Sequence, residues 1–238
     1  MRQLVPTGTL RIGLVAAPAA SSFFVTKDAD GRPRGVTVDL GIALGKELGV
    51  PVEFVIAPNS GVITDATASA TIDVTFMPVD EERKKRVAFG PNYVVIESTF
   101  MATAASGATT VAEVDRAGMR VIGIANTTTI RAATRTLKNT TIVPVTSVDD
   151  AMSALRDGKA DAFALSRDSL PVYVKQIPGS RIVDGAFQQT GIAIAIPPNR
   201  PDALAYVTAF MEDAKRSGLV RRALDAAGFS GESVAPPA

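Results

Sequence analysis

"TASATIDVTFMPVD" (67–80) and "ALRDGKADAFALSR" (154–167) carry the same plan. Each runs from the end of a helical pattern through a short turn to an aspartate, then an apolar strand, then a polar helix start. A unit that recurs in this way predicts two lobes of related construction rather than one large layer.

Working outward, strand and helix patterns alternate along the chain. "TLRIGLV" (9–15) is a β-branched, buried-strand run. "DADGRPRG" (28–35) has turn chemistry. Over 36–49 Val38, Ile42, Leu44 and Leu48 fall at roughly helical spacing, and Gly49 closes the helix. Strands follow over 50–57 and 72–77, with a short helix over 62–70 between them. "YVVIESTFMAT" (93–103) is a long extended run, and 110–118 a helix with a glycine stop. Strands over 119–125, 141–145 and 160–165 then alternate with helices over 128–138, 148–158 and 167–176. A strand over 191–197 precedes a helix over 201–218, opened by Pro201, and a second over 219–228. The tail "ESVAPPA" (232–238) has little to pack.

The alternation predicts an α/β protein with mainly parallel sheet. "ESTFMAT" (97–103) and "QQTGIAIAI" (188–196) bracket the middle third as extended runs. With both as crossings, the first lobe is discontinuous, 1–101 plus 190–238, and the second is 102–189. A cleft at the join is the expected place for a small ligand.

Composition narrows the chemistry. The 238 residues carry 25 basic and 24 acidic side chains, a net charge of +1, so no one-sided field draws nucleic acid or anionic membrane. Aromatics are 5% with no Trp, which argues against a base-stacking platform. Cys and His are both absent. That excludes thiol chemistry and a Ser-His-Asp triad and leaves few options for a metal site, so neither metal nor cofactor is expected. No segment has the length of a membrane span. The start, "MRQLVPTGTLRIGLV", reads as a polar lead into a strand without an export signal. A leader trimmed before Met1 would leave the same sequence, so the expectation is periplasmic if one was removed, with the cytoplasm open otherwise.

Ligands of open α/β sheets sit beyond the carboxyl ends of strands. Three such ends carry polar residues here. "TFMP" (75–78) leads to Asp80 and Arg83; "GIANTTT" (123–129) leads into a helix start; "AFALSRD" (162–168) leads to Ser166, Arg167 and Asp168. Two readings stay open for Arg83. As an anion clasp its planar fork matches a carboxylate, worth roughly 1.5–3 kcal/mol when shielded from water. On a solvated helix face, paired with Glu82 or Asp80, it contributes about 0–1 kcal/mol. Asn126 or Thr127 is a helix cap, and the N–H groups of Thr128 and Thr129 face an anion in the functional reading. Ser166 is expected to cap its own helix. Ser21, Ser22 and Phe23 are candidates for the mouth, with Phe24 in the core, and Asn59 and Ser60 end the second strand.

The chain resembles the extracellular solute-binding proteins of family 3, the amino-acid-type receptors of ABC importers. The matching pieces are "GTLRIGLV", "DADGRPRGVTVDLGIALGKELGVPVEFV", "IDVTFMPVDEERKKRVAFGPNYVV", "RVIGIANTTTI", "ALRDGKADAFAL" and "FMEDAKRSGLVRRAL", nearly the whole chain in the family's order. The resemblance implies a two-lobed fold of type II, with two hinge strands and a ligand cleft between the lobes. It implies that Arg83 clasps a ligand carboxylate. The polar residue expected a few positions earlier falls on Pro78, which leaves Thr75 and the backbone around Phe76 and Met77. The helix-start threonines match Thr128 and Thr129. The acid expected to neutralise a ligand ammonium falls on Ser166, with Asp168 two residues on, and the covering aromatic falls near Ser21. The carboxylate half is kept and the ammonium half thinned, so the expected ligand is a small carboxylate, not necessarily an α-amino acid. The expected partner is a membrane permease, with the binding protein itself a monomer.

The rival class is an enzyme on the same scaffold, lyase- or dehydratase-like, with Asp168, Glu97 or Asp80 as proton donor. A third is a soluble ligand-sensing module.

Overall fold

A computed structural model describes residues 3–16 and 21–237. The strands are β1 (Leu10–Val15), β2 (Thr26–Lys27), β3 (Pro33–Arg34), β4 (Val52–Ala57), β5 (Val74–Pro78), β6 (Ala88–Ala102), β7 (Val121–Ile124), β8 (Ile142–Val145), β9 (Ala162–Ser166), β10 (Arg181–Ile182) and β11 (Gln188–Ile196). The helices are α1 (Val36–Leu48), α2 (Ser60–Ala68), α3 (Glu81–Lys84), α4 (Val111–Val114), α5 (Thr128–Thr136), α6 (Val148–Arg156), α7 (Leu170–Val174), α8 (Pro201–Arg216) and α9 (Leu219–Ala226). The chain divides into two compact units, Met1–Val95 with Gly191–Ala238, and Ile96–Thr190. It passes from one to the other inside β6 and returns inside β11.

In the first unit the strand order is β4-β1-β5-β11. β1 runs parallel to β4 and β5, and β11 is antiparallel to β5, with Ala195 opposite Thr75 and Ile192 opposite Pro78. Leu10, Ile12, Val74, Phe76 and Ile194 are buried, as β-rich apolar runs covered on both faces must be. α1 buries Val36, Leu40, Leu44 and Leu48, whereas Ile42 is 50% exposed, against expectation. The reason lies in Gly41 and Gly45. A side chain at Gly41 would stand 2.7 Å from Ile12 Cδ1, and one at Gly45 would collide with Val52. The helix therefore approaches the sheet through its glycines, and Ile42 points away.

The second unit has the order β6-β9-β7-β8, with β10 on the other side of β6. β7 is parallel to β8 and β9, while β9 is antiparallel to β6. Phe100, Val121, Ala133, Ala162 and Val183 form its core.

The recurring sequence unit has a structural counterpart. Asp73, just before β5, accepts hydrogen bonds from Arg11 N, Nε and Nη2, and Arg11 Nη2 also reaches Ala70 O at 3.0 Å. Asp161, just before β9, accepts from Arg120 N, Nε and Nη2, and Arg120 Nη1 reaches Gly158 O at 2.5 Å. Both units thus tie the residue before a strand to the head of its parallel neighbour by one guanidinium and one carboxylate.

The tail packs, contrary to the sequence expectation. Val234 bridges Val94, and Ala235 N–H donates to Tyr93 O at 2.9 Å. Lys215, its side chain 2% exposed, pairs with Glu212 at 2.7 Å and donates to Asn92 O and Pro236 O. The apolar count of the tail missed this, because its attachments are mostly backbone hydrogen bonds. Among the described residues no helix is long and apolar enough to cross a membrane, and no three His, Cys, Asp or Glu side chains gather to hold a metal.

Candidate functional site

In the first unit the polar groups converge where β5 ends and α2 begins. Asp80 caps the four-residue α3 by accepting from Arg83 N at 2.8 Å. That cap turns Arg83 inward: the residue is 4% exposed, while Lys84, Lys85 and Arg86 carry about half or more of their side-chain surface in water. Lys84 pairs with Glu81, Lys85 with Glu82 and Arg86 with Asp65. Among the described residues Arg83 has no such partner. Its Nη1 donates to Pro78 O at 2.9 Å and its Nη2 to Ser60 Oγ at 2.5 Å, both neutral acceptors. Burial lowers its pKa to about 10, because the charged form is the one that loses solvation. Among the described residues, then, the guanidinium is a shielded cation whose acceptors are neutral oxygens, an arrangement chemically suited to an anion.

The other candidates of this unit have mixed placements. Pro78 contributes through its carbonyl, which needs neither N–H nor hydroxyl. Thr75 is buried, and its hydroxyl donates to Gly13 O at 2.9 Å. Phe76 and Met77 are core side chains; Phe76 meets Tyr93 edge-on at 6.0 Å. Asn59 caps α2, its Oδ1 accepting from Val62 N at 3.0 Å. Ser60, which follows it, is the residue that meets Arg83. Phe23 is not at a mouth: it is fully buried against Phe24 and Phe229, with Phe24 the more exposed of the pair. The sequence assigned those two the other way round, since a non-periodic "SSFF" stretch has no pattern that says which ring turns inward. Ser21 Oγ accepts from Phe23 N, and Ser22 donates to Ala227 O, so both hydroxyls hold a loop.

In the second unit, β7 leads through Asn126, in the left-handed region at φ 63°, to Thr127. Thr127 is the cap of α5, accepting from Ile130 N at 3.1 Å and donating to Ile124 O. Thr128 is buried, and Thr129 Oγ1 lies 3.4 Å from Ser98 Oγ of β6. Ser166 is the last residue of β9, not a helix cap; its hydroxyl pairs with Ser169 at 3.1 Å, and α7 starts at Leu170. The strand extends that far because Ser166 stays in register with Ser98. Arg167 and Asp168 are not a mutual pair in the bonds that place them: Arg167 Nε donates to Glu97 at 2.9 Å and its Nη2 to Gly185 O, while Ser169 Oγ donates to Asp168 at 3.3 Å.

The pattern of bacterial extracellular solute-binding proteins, family 3, matches residues 14–226. The chain belongs to that family. Among solved structures, an ancestral arginine-binding protein bound to glutamine superposes with a TM-score of 0.78 at 26% identity, over 93% of this chain and 98% of that one. An ancestral amino acid-binding protein, precursor of cyclohexadienyl dehydratase, gives 0.78 at 25% over 94% and 96%. The solute receptor for L-cysteine of Neisseria gonorrhoeae gives 0.80 at 21% over 94% and 91%. No curated protein sequence matches. Membership supplies the fold, the two-lobed α/β architecture of amino-acid-binding proteins, and the class, a solute-binding protein.

Proposed function

We propose that this family member is the capture component of an ABC-type importer, working outside the cytoplasmic membrane and taking a small carboxylate-bearing solute, an amino acid or a related organic acid. The reading rests on one observation: Arg83 is buried with neutral acceptors on both Nη atoms and, among the described residues, no carboxylate paired to it. A ligand carboxylate supplies the missing countercharge, and a charge-assisted bond in that setting contributes roughly 1.5–3 kcal/mol. In the second unit, Thr128 and Thr129 at the N-terminus of α5 and Ser166 at the end of β9 are the further groups proposed to hold the solute, which a permease then takes over.

The test is calorimetry with L-arginine, L-glutamine and L-cysteine beside their carboxamide counterparts. The free acids bind and the amides do not; Arg83→Ala removes binding while the apo melting temperature stays nearly unchanged. Equal affinity for acid and amide overturns the carboxylate reading. Native mass spectrometry of freshly purified protein identifies a retained ligand directly.

The enzyme reading draws on the neighbour that is a dehydratase precursor. Two of its three candidate acids are committed elsewhere, Asp80 to the α3 cap and Glu97 to Arg167. Turnover of a bound probe, followed by mass spectrometry, decides against pure binding.

A further inference from the structure

The sequence places Ser60 beside Asn59 at the end of the second strand without giving it a role, yet its hydroxyl is the side-chain partner of the Arg83 guanidinium. The two residues lie on different elements, Ser60 at the first position of α2 and Arg83 in α3. Both are buried, and Ser60 Oγ accepts from Arg83 Nη2 at 2.5 Å, a bond whose donor carries the charge.

A serine at a helix start ordinarily spends its hydroxyl on capping. Here Asn59 does the capping, with its Oδ1 on Val62 N. Ser60 Oγ is thereby released to face Arg83. Its carbonyl is fixed in turn by Thr64 Oγ1 at 2.7 Å, and Thr64 also reaches Met77 Sδ on β5. The Asn59-Ser60-Thr64 group therefore fixes an acceptor opposite the end of β5, where Pro78 O holds the other Nη of the same guanidinium.

We propose that Ser60 is the positioning residue for Arg83: it orders the guanidinium before any anion arrives, and so sets the affinity of the carboxylate subsite. The inference rests on the carboxylate reading of Arg83 for its consequence in binding, but not for the positioning itself. An arginine side chain held in one rotamer has less freedom left to lose when the ligand binds.

Two readouts separate the claims. The first needs no ligand: the Nε–H NMR signal of Arg83 in the apo protein, assigned by its loss in Arg83→Lys. In Ser60→Ala this signal moves toward the position of solvent-exposed arginines and exchanges faster with water, while Ser60→Thr, which keeps the hydroxyl, preserves it. The second is calorimetry with L-arginine, L-glutamine and L-cysteine, where Ser60→Ala weakens the best binder about tenfold and Ser60→Thr stays near wild type. An unmoved Arg83 signal in Ser60→Ala overturns the positioning role. A moved signal with unchanged affinity overturns the link to binding. Failure of all three amino acids to bind wild-type protein counts against the proposed function, and the NMR arm still decides Ser60.

Discussion

Asp73, without solvent exposure, receives three hydrogen bonds from Arg11, at 3.1 Å from the backbone N–H, 2.9 Å from Nε and 2.7 Å from Nη2. The bidentate fork fixes the head of β1 against the residue that starts β5. Removing one member of such a pair leaves the other partly buried and uncompensated. Asp73→Ala is expected to destabilise the protein by about 3 kcal/mol, read as a lower midpoint in urea unfolding. The matching substitution Asp161→Ala, whose partner Arg120 is half exposed, costs less, because water replaces the lost acceptor.

On the proposed carboxylate reading, the pH dependence of ligand binding follows from Arg83. Its pKa is lowered to about 10 by burial. The cation is the form that grips a carboxylate, so affinity holds through neutral pH and falls as pH rises through about 10. A bound carboxylate raises the pKa again, so binding near that pH takes up a proton, measurable by calorimetry in buffers of different ionisation heat. The apo protein behaves oppositely. Above pH 10 the unfolded chain binds more protons than the folded one at this position, so this residue's contribution to stability rises with pH.

The carboxy-terminal strap covers Lys215 with a backbone oxygen. Deleting residues 234–238 removes Pro236 O from a buried ammonium and the backbone bridge to β6 at Val94 and Tyr93. The expected loss is roughly 1–3 kcal/mol, seen as a lower melting temperature and faster hydrogen exchange at Tyr93 and Val94. An unchanged melting curve would mean the strap is ornamental.

Thr127 caps α5 through Ile130 N. Thr127→Ala is expected to cost about 1 kcal/mol, whereas Thr127→Ser, which retains the oxygen, stays within a few tenths. Chemical denaturation of the two variants side by side checks the difference.

How far the sequence could be read depends on what kind of signal each residue leaves. Repetition is a strong one: the Asp-then-strand motif at Asp73 and Asp161 announced two related units, and both aspartates receive an arginine fork. Position after a strand is a weaker one. It drew notice to Arg83 but could not say that Asp80 would turn the side chain inward while its neighbours stayed in water. Helical spacing misled at Ile42, because Gly41 and Gly45 define the packed face by what they lack. Ser60 was named beside Asn59 without a role, since the two are adjacent and only geometry reveals which one caps. That same adjacency is the available signal: a strong capping residue directly before a serine leaves the serine's hydroxyl unspent.

The first unit is interrupted by the second, since Gly191–Ala238 returns to it. On the ribosome, Ile96–Thr190 emerges as an uninterrupted piece and can fold while the earlier residues still lack β11, α8 and α9. During that interval the β5 edge that β11 will occupy is open, a window in which the nascent chain offers a bare strand to other chains or to folding helpers. Synthesis order thus makes the last fifth of the polypeptide the closing step for the unit that holds Arg83.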